Sequence, residues 1–386
     1  MGCPPTDCQE KILFPTLKSK VTKNIRKKSI LQQTAFWSEV KRKQGIDSKA
    51  FDIQVKASDL MVTTTRQDTV ADDLLMLFQN IGDGYCIGYA PYGPTIKPSE
   101  ENQGLFLEEL SESLRPYLPA NCIALRYDLL WESLWAKDDS YFDANGYWIG
   151  PPARVNQELR LNFQTRNWNL KKANTNILPS DTVFIDLRKE EHTLLQEMKA
   201  KTRYNVRLSM RKGVKVRKAD IQDLDIWYML YKETCTRNRL FLHDIKFFQT
   251  ILGTKAHGIR SPAEVELLIA EIDKKPLAAI FLVFSGQRAT YLYGSSSSKN
   301  RRYMATYALQ WEALRRAQKK GCAQYDMFGV APQPDPSHPL YGLYRFKVGF
   351  GGNLLHRMGC WDYPLKQNHY DIYLANEMNS TGYHLN

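Results

Sequence analysis

Cysteine is sparse in this chain and follows no pattern. The 386 residues contain seven cysteines, an odd number, and no two of them have the Cys-x-x-Cys spacing. A disulfide framework pairs its cysteines, and a structural zinc site takes its ligands from short, regular spacings. The sequence therefore argues against both a disulfide-stapled fold and a zinc centre.

Long apolar segments are missing as well. The longest apolar run, residues 277–284, has the length of a β-strand and is far too short to span a bilayer. The first six residues carry no apolar stretch of the kind that forms the centre of a secretory signal. On these grounds we expect a cytoplasmic protein.

Several common catalytic signatures are also absent. The sequence has no Gly-x-Ser-x-Gly elbow, no Gly-x-x-x-x-Gly-Lys-Ser/Thr phosphate loop and no histidine cluster with metal-ligand spacing. These absences argue against an α/β-hydrolase, a P-loop nucleotidase and a metal-dependent hydrolase.

Positive charge and apolar residues, by contrast, are abundant. Hydrophobic residues make up 43% of the chain, which is typical of a globular protein with two or three domains. Lys and Arg outnumber Asp and Glu by 53 to 41. An excess of this size favours a polyanionic partner, such as nucleic acid, a diphosphate or an anionic membrane surface.

Two stretches share a strand–turn–helix–strand layout, which predicts parallel strands in a sheet. The first comprises a strand at 85–89, a helix at 99–117 and a strand at 122–128; the second comprises a strand at 290–293, a helix at 303–320 and a strand at 324–328. A meander of strands at 264–272, 277–284 and 289–293 precedes the second helix. Meander, helix and parallel strand together are the plan of acetyltransferase-like domains.

The predicted fold class is therefore α/β (α+β), with two acetyltransferase-like domains built on mixed central sheets. We place a basic extension at 1–30, the first domain at 31–190, the second at 191–365, and a C-terminal segment at 366–386 that returns to the first domain or is irregular. Near the start of the first domain, Thr34 is expected to cap a short helix that buries Phe36, Trp37 and Val40.

A basic segment opens the second domain. Apolar residues recur on one side of residues 191–212, which predicts a single helix ended by Gly213. Residues 199–218 contain nine Lys or Arg and no acid. Like charges on neighbouring turns destabilise a helix, and an anionic partner would offset that cost. The alternative is an ordinary solvated face.

One lysine near the end of the chain, Lys347, stands among aromatic residues and glycines. Aromatic neighbours bury the stem of such a lysine, and glycines allow close approach of backbone or substrate. A charge held away from water suits the stabilisation of an anion that forms during a reaction. The alternative is a lysine that extends to solvent from a glycine-rich turn.

With these segments identified, the chain resembles the FemABX family of peptidoglycan-bridge aminoacyltransferases. The segments that carry the resemblance are residues 197–207, 291–297, 309–313, 325–330 and 343–352. They occur in the family's order and lie within residues 30–365. The interval 225–262 has no room for the long helical arm of some members, so the chain resembles the arm-less type.

The resemblance implies transfer of an amino acid (glycine, alanine or serine) from aminoacyl-tRNA to the side-chain amine of a peptidoglycan precursor stem peptide. The acceptor would be UDP-MurNAc-pentapeptide or lipid II, and a peripheral contact with the inner membrane face is possible. Because the tRNA ester is already activated, the resemblance implies no metal ion, no cofactor and no covalent enzyme intermediate, which agrees with the lack of a metal-spaced histidine cluster. We expect a monomer.

The resemblance also assigns roles to individual residues. Lys347 would stabilise the tetrahedral oxyanion, and Asp128 matches an acid considered as the general base. Lys41, Arg237 and Tyr293 would bind the precursor, with Lys41 at its diphosphate. The tRNA would be bound by the cations of the basic segment: Lys199, Lys201, Arg203, Arg207, Arg211 and Lys212.

Structural alternatives remain open for several of these residues. Tyr293 could be a core residue of its strand, Arg237 could pair with Glu233 one turn away, and Asp128 could cap the segment after its strand. Phe241 lies where some members have a tyrosine, so we assign no contact to it.

Two other functions share parts of this pattern. An acyl-coenzyme A-dependent N-acyltransferase has the same domain plan but needs a glycine-rich turn for the pyrophosphate, which the Ser295–Ser298 region resembles poorly. A non-catalytic tRNA-binding relative would keep the basic segment and tolerate the loss of Lys347.

Overall fold

The computed structural model describes residues 15–60, 68–255 and 258–379. Within them the backbone forms one mixed sheet flanked by helices. The strands are β1 (Thr16–Lys20), β2 (Asp47–Lys56), β3 (Thr69–Gly82), β4 (Tyr85–Ala90), β5 (Cys122–Glu132), β6 (Lys171–Lys172), β7 (Asp181–Asp186), β8 (Lys215–Ala219), β9 (Ala263–Ile272), β10 (Lys275–Ser285), β11 (Arg288–Ser296), β12 (Gln324–Gly329) and β13 (Asn353–Pro364).

The helices cover both faces of the sheet. They are α1 (Ala35–Lys43), α2 (Ala57–Leu60), α3 (Gln103–Leu114), α4 (Arg154–Asn162), α5 (Glu191–Glu197), α6 (Ala200–Arg211), α7 (Leu224–Asn238), α8 (Ile245–Gly253), α9 (Ala305–Lys319), α10 (Tyr341–Val348) and α11 (Gln367–Asn379). The predicted cap of α1 is confirmed, because the Thr34 hydroxyl accepts a hydrogen bond from the Trp37 amide at 3.1 Å.

The strand order is β1-β2-β3-β4-β5-β13-β7-β12-β11-β10-β9-β8, with β6 paired to β13. The long strand β13 joins two halves, since residues 357–364 pair with β5 and residues 353–356 pair with β7. Each half contains the predicted parallel pair, β4–β5 in the first and β11–β12 in the second. The α/β class with two acetyltransferase-like halves is confirmed. The boundary at residue 190 stays a prediction; β7, just before it, pairs with β12 and β13.

Two apolar clusters lie on opposite sides of the second half of the sheet. One contains Val206 of α6 and Leu309 of α9, and the other contains Trp227 of α7, Phe248 of α8 and Phe36 of α1. Helix α1 precedes β2 in the chain, so a helix from the first half packs into the second cluster. This packing brings residues of both halves to one face of the sheet.

The prediction of one continuous helix over 191–212 is wrong. Helix α5 ends at Glu197, and α6 begins at Ala200 after two extended residues, Met198 and Lys199. The Lys199 amide donates to the Gly349 carbonyl at 2.9 Å, outside the helix. The guanidinium of Arg203 donates to carbonyls at the end of α5, including that of Gln196 at 2.9 Å. A tertiary contact therefore breaks the helix.

The helices predicted at 99–117 and 303–320 are shorter than expected. The first is α3, Gln103–Leu114, with a 3₁₀ turn on either side, and the second is α9, Ala305–Lys319. Two left-handed residues, Asn300 and Met304, delay the start of α9.

Both ends of the described part of the chain contact the first half. Residues 1–14 of the predicted extension lie outside the described residues, but β1 pairs with β2, and Lys20 and Arg26 form ion pairs with the buried Asp73. At the other end α11 lies against β5, where Glu377 pairs with buried Arg126. Residues 380–386 are also outside the described part.

The five cysteines within the described residues are all buried thiols. Those residues contain no group of three or more His, Cys, Asp or Glu that could hold a metal ion. In the same part of the chain, none of the helices has the length and apolar character needed to cross a bilayer.

Candidate active site

The two strands β11 and β12 separate in the middle of the second half. Their parallel pairing covers only Arg288–Thr290 with Gln324–Asp326. Beyond this point β12 pairs with β7 alone, where Gly329 faces Thr182, while β11 runs on to Ser296. In the first half β4 and β5 stay paired up to Ala90 and Tyr127. An opening between the carboxyl ends of parallel strands therefore exists in the second half and not in the equivalent place of the first.

A β-bulge directs two tyrosines of β11 to opposite faces. Tyr293 pairs with Phe281 and Tyr291 with Leu282, so Leu292 is an extra residue without a partner of its own. Tyr291 packs on the α6–α9 side, and Tyr293 packs on the α7–α8 side. The next residue is Gly294, where a Cβ atom would lie 1.8 Å from the Tyr291 hydroxyl. The glycine is therefore required for Tyr291 to fold back over its own strand.

Lys347 lies in α10 with its ammonium at this opening. The side chain is buried, and its Nζ donates to the carbonyls of Gly329 at 2.6 Å and Phe328 at 3.2 Å. The ammonium also lies 5.0 Å from the centre of the Tyr291 ring, a cation–π distance. Burial lowers the pKa of Lys347 to about 7, against the opposing effect of the Asp326 carboxylate. The alternative of a lysine extending to solvent does not fit this burial.

The two carbonyls that hold Lys347 come from a strained turn. Phe328 has a φ of 58°, a left-handed conformation that costs free energy for a bulky residue. The turn is held by buried Asp326, whose Oδ1 accepts from the Phe328 amide at 2.8 Å and from the Thr182 hydroxyl at 2.5 Å. Asp326 thus acts on Lys347 in two ways, through the turn that supplies its carbonyl partners and through its own charge.

We expect Asp326→Asn to lower the pKa of Lys347 further. The amide oxygen can still accept from the Phe328 amide, but the negative charge that favours the ammonium is gone. NMR titration of labelled lysine side chains, with the Lys347 signal assigned by its loss in Lys347→Met, measures the shift. The control is Asp335→Asn, at an exposed turn. An unchanged Lys347 pKa in Asp326→Asn would contradict the assignment.

Lys41 and Tyr293 come together on the other face of the opening. The Lys41 ammonium lies 5.0 Å from the Trp37 ring and 5.7 Å from the Phe247 ring, and Tyr293 contacts Phe247 with ring centres 5.8 Å apart. Burial lowers the pKa of Lys41 to about 8. No acid pairs with it among the described residues, where its hydrogen bond goes to Gln44 at 3.0 Å. This cation is therefore placed to receive an anion.

Arg237 closes the same face at the end of β11. Its guanidinium donates to the Ser296 carbonyl at 3.0 Å and to the Ser298 hydroxyl at 2.9 Å. The alternative ion pair with Glu233 does not form, because that carboxylate accepts from the Ser298 amide at 2.6 Å instead. The hydrogen bonds of Arg237 thus go to neutral partners, although the nearby Glu233 carboxylate still offsets part of its charge. Its guanidinium fork suits a phosphate or carboxylate ligand.

Asp128 lies in the first half and does not touch Lys347. It is fully buried in β5, where its Oδ2 accepts from the Tyr89 hydroxyl and from the Leu178 amide, both at 2.9 Å. Burial raises the pKa of Asp128 to about 6. Pro179, which follows Leu178 in the chain, packs against Gly329 at the end of β12. Asp128 therefore supports one wall of the opening indirectly, through its bond to the Leu178 amide. Its role as a base stays a prediction.

The raised pKa of Asp128 has a consequence for stability. A carboxyl group whose pKa is higher in the folded state than in the unfolded chain stabilises the fold while it is protonated. This stabilisation is lost as the pH rises from the unfolded pKa through the folded pKa. For Asp128, whose pKa rises from the ordinary 3.8 to about 6, the full change in the free energy of unfolding is roughly 3 kcal/mol. The free energy of unfolding of the wild type should therefore rise, relative to Asp128→Asn, as the pH falls from 7 to 5. Urea unfolding at several pH values measures it, and a constant difference would contradict the burial argument.

The cations of the basic segment divide into two groups. Arg203 caps α5, and Lys212 donates to the Arg302 carbonyl at 2.6 Å, so both have structural partners. Further on, Arg217 pairs with Asp223, and Lys218 pairs with Glu266, so the expected lack of counter-charge is wrong for these two. The predicted tRNA contacts that are exposed on the surface are Lys199, Lys201, Arg207 and Arg211.

The start of α6 adjoins the segment that follows Lys347. The Lys199 amide bonds to the Gly349 carbonyl, and a Cβ at Gly349 would lie 2.2 Å from the Thr202 hydroxyl. These contacts therefore fix the position of the exposed cations at the start of α6 relative to the buried Lys347 ammonium of α10.

Sequence reasoning missed Asp326 and Arg357. Arg357 is buried at the junction of the halves, stacks on the Tyr92 ring at 4.6 Å and donates to the Pro179 carbonyl at 3.1 Å. Its guanidinium lies 4.0 Å from Asp326. The Asp-Met-Phe-Gly segment was a signal for Asp326, but no local pattern pointed to Arg357.

Together these features define an α/β protein with two acetyltransferase-like halves and a buried lysine where two parallel strands separate. The chain belongs to the FemAB family, whose model matches residues 20–259 and 254–377. Its relatives include the lipid II:glycine glycyltransferase of Staphylococcus epidermidis, 23% identical over 273 residues, and that of Staphylococcus aureus, 22% identical over 278 residues. Each match covers 55% of this chain and 65% of the relative.

A solved structure shows the same fold over nearly the whole chain. The crystal structure of FemX superposes with a TM-score of 0.67 at 19% sequence identity, covering 92% of this chain and 96% of that one.

Proposed function

We propose that this protein is an aminoacyltransferase that moves an amino acid from aminoacyl-tRNA to the side-chain amine of a peptidoglycan precursor stem peptide. The observation that carries the proposal is the buried Lys347 ammonium at the opening between β11 and β12. The names of the relatives, lipid II:glycine glycyltransferase, support a peptidoglycan precursor as acceptor. Glycine, alanine and serine are the candidate amino acids.

The reaction needs positioning and charge stabilisation more than activation. The acceptor amine attacks the ester carbon, a C–N bond forms, and the ester oxygen leaves as the tRNA hydroxyl while the amine loses a proton. The intermediate carries an oxyanion, which a cation held away from water stabilises strongly. Lys347 donates two of its three N–H bonds to the Phe328 and Gly329 carbonyls, which leaves one for that oxyanion.

The acceptor is proposed to lie on the face of Lys41, Arg237 and Tyr293. Two cations whose hydrogen bonds go to neutral groups suit the diphosphate that links the precursor to uridine or to a lipid carrier. Tyr293 and Phe247 offer ring faces for the sugar or peptide beside it. In this proposal the stem amine approaches Lys347 from this face, through the gap between β11 and β12 beside Tyr291.

The donor is proposed to approach along α6. Exposed cations line this helix, and its first turn is bonded to the residues after Lys347. Phosphate contacts fix the position of a nucleic acid on a protein. A tRNA acceptor stem bound on α6 would therefore direct its aminoacylated end toward Lys347. Cofactor independence follows from the activated ester and is part of the proposal.

Offering the enzyme two donors tests the proposal. Purified protein and UDP-MurNAc-pentapeptide are mixed either with tRNA charged with labelled glycine, alanine or serine, or with labelled acetyl-coenzyme A. We expect labelled precursor only with charged tRNA. Product with acetyl-coenzyme A alone would overturn the proposal in favour of an acyl-coenzyme A-dependent enzyme. Binding of charged tRNA without product from either acceptor, UDP-linked or lipid-linked, would favour a non-catalytic relative.

A further inference from the structure

Three consecutive apolar residues project from the turn between α7 and α8. Leu240, Phe241 and Leu242 are 49%, 60% and 43% exposed. We call these three residues the apolar tip. Single exposed apolar side chains are ordinary on a protein surface, but three adjacent large ones form a patch that usually marks an interaction site.

The backbone of the apolar tip is fixed by hydrogen bonds to α7. Arg239 ends this helix in a left-handed conformation, and the Leu240 amide donates to the Cys235 carbonyl at 3.0 Å. The Phe241 carbonyl accepts from the Tyr231 hydroxyl at 3.3 Å. Because the turn is already ordered, insertion of the tip into an apolar phase would cost little additional conformational entropy.

The surroundings of the apolar tip are cationic. Arg237, Arg239 and Lys246 flank it in the chain, and the acid among them, Asp244, is engaged in capping α8 through the Lys246 amide at 2.7 Å. An apolar tip within a basic surround matches an anionic bilayer, whose headgroups attract the cations while its interface accepts the apolar side chains.

A chain of aromatic contacts connects the apolar tip to the proposed acceptor face. Phe241 contacts His243 at 5.2 Å between ring centres, His243 stacks on Phe247 at 4.2 Å, and Phe247 contacts both Tyr293 and Lys41. A bilayer bound at the tip would therefore lie beside the cations proposed to bind the diphosphate.

We propose that the apolar tip docks this protein on an anionic membrane surface and so presents the acceptor face to a lipid-linked diphosphate. The docking itself rests on the tip and its charges; the second part rests on the proposed function. A different exposed apolar stripe, formed by Val155, Leu159 and Phe163 around α4, has no connection to the candidate site and provides a matched control.

Co-sedimentation with vesicles tests the docking. Wild type, the triple variant Leu240→Ser/Phe241→Ser/Leu242→Ser and the control Val155→Ser/Leu159→Ser/Phe163→Ser are each mixed with phosphatidylglycerol–phosphatidylcholine vesicles and with phosphatidylcholine vesicles. We expect the wild type and the control to bind the anionic vesicles, and the tip variant to bind at least about tenfold more weakly. If the triple variant has a lowered unfolding temperature, Phe241→Ser alone replaces it.

Equal binding of the tip variant and the wild type, or an equal loss in the α4 control, would overturn the proposal. So would a wild type that binds neither kind of vesicle. Transfer assays separate this inference from the proposed function. With a UDP-linked acceptor, the tip variant should transfer at the wild-type rate. With a lipid-linked acceptor in vesicles, its transfer rate should be about tenfold lower than that of the wild type. Vesicle binding that depends on the apolar tip, without transfer to any acceptor, would contradict the proposed function but still support the docking.

Discussion

Replacing Lys347 with methionine is expected to lower kcat/KM for aminoacyl transfer by about 100- to 1,000-fold. Methionine is unbranched and fills most of the same buried space, so the change removes the charge and its hydrogen bonds rather than the packing. The size of the effect is that of removing one donor from an oxyanion site. Steady-state transfer from charged tRNA to a stem-peptide acceptor measures it.

The same substitution is expected to stabilise the fold at pH 7. A lysine whose pKa falls from 10.5 to about 7 on folding is charged in the unfolded chain and disfavoured as a cation in the folded one. Stability therefore rises with pH between these two values, and removal of the lysine brings the largest gain at pH 7 and below. A higher unfolding temperature with lower activity separates loss of chemistry from loss of structure.

Lys347→Arg is the matched control for charge. In the wild type the alkaline limb of kcat/KM should begin near pH 7, where the free lysine loses its proton. Arginine stays protonated, so that limb should move to much higher pH even if the rate is reduced. Wild-type activity in Lys347→Met, or an alkaline limb that is the same in Lys347→Arg, would contradict the role of the cation.

Reversing the charge of three exposed cations of the basic segment should lower kcat/KM almost as much as Lys347→Met does. The variant Lys199→Glu/Lys201→Glu/Arg207→Glu removes up to three phosphate contacts and adds repulsion, so we expect kcat/KM for charged tRNA to fall about 100-fold or more near 0.15 M salt. The dependence of the wild-type rate on salt should weaken in the variant. Rates at several salt concentrations measure both effects.

The matched control reverses three exposed lysines elsewhere, in Lys97→Glu/Lys274→Glu/Lys275→Glu. It changes the net charge by the same amount and should leave the rate within about twofold. KM for the acceptor should be unaffected in both variants. An equal loss of rate in the control would mean that net charge, not a docking site on α6, governs the reaction.

Much of the fold was predictable from local patterns. The meander β9–β10–β11 and both parallel pairs follow from alternation and turn residues, and the cap at Thr34 follows from a single residue type. The helix over 191–212 was wrong because its break is set by a bond to Gly349, far away in the sequence. Periodicity carries no information about such a contact.

The candidate site was predictable in part, for a similar reason. Lys347 stood out because its aromatic and glycine neighbours are adjacent in sequence. Asp326 acquires its function through the left-handed Phe328, which arises where β12 shifts register against β7. Arg357 comes from a strand that bridges the two halves. These positions depend on long-range strand pairing, which a single sequence does not reveal.

Charge was predictable in amount but not in placement. The run over 199–218 correctly indicated a basic surface, yet Arg217 and Lys218 pair with acids that lie on β9 or before α7. Pairing between β8 and β9 brings Arg217 to Glu271 and Lys218 to Glu266, and Asp223 reaches Arg217 from the turn after β8. These two cations are therefore less available to a polyanion than the exposed cations of α6.

The most direct measurement is the transfer of radiolabel from a pool of charged tRNA to UDP-MurNAc-pentapeptide and, separately, to lipid II in vesicles. Each tRNA preparation carries one labelled amino acid, so the product identifies both the amino acid and the acceptor. We expect label in the precursor, resistant to ribonuclease and attached at the side-chain amine of the stem. No label in either acceptor with any charged tRNA, from a folded protein, would contradict an aminoacyltransferase built around Lys347.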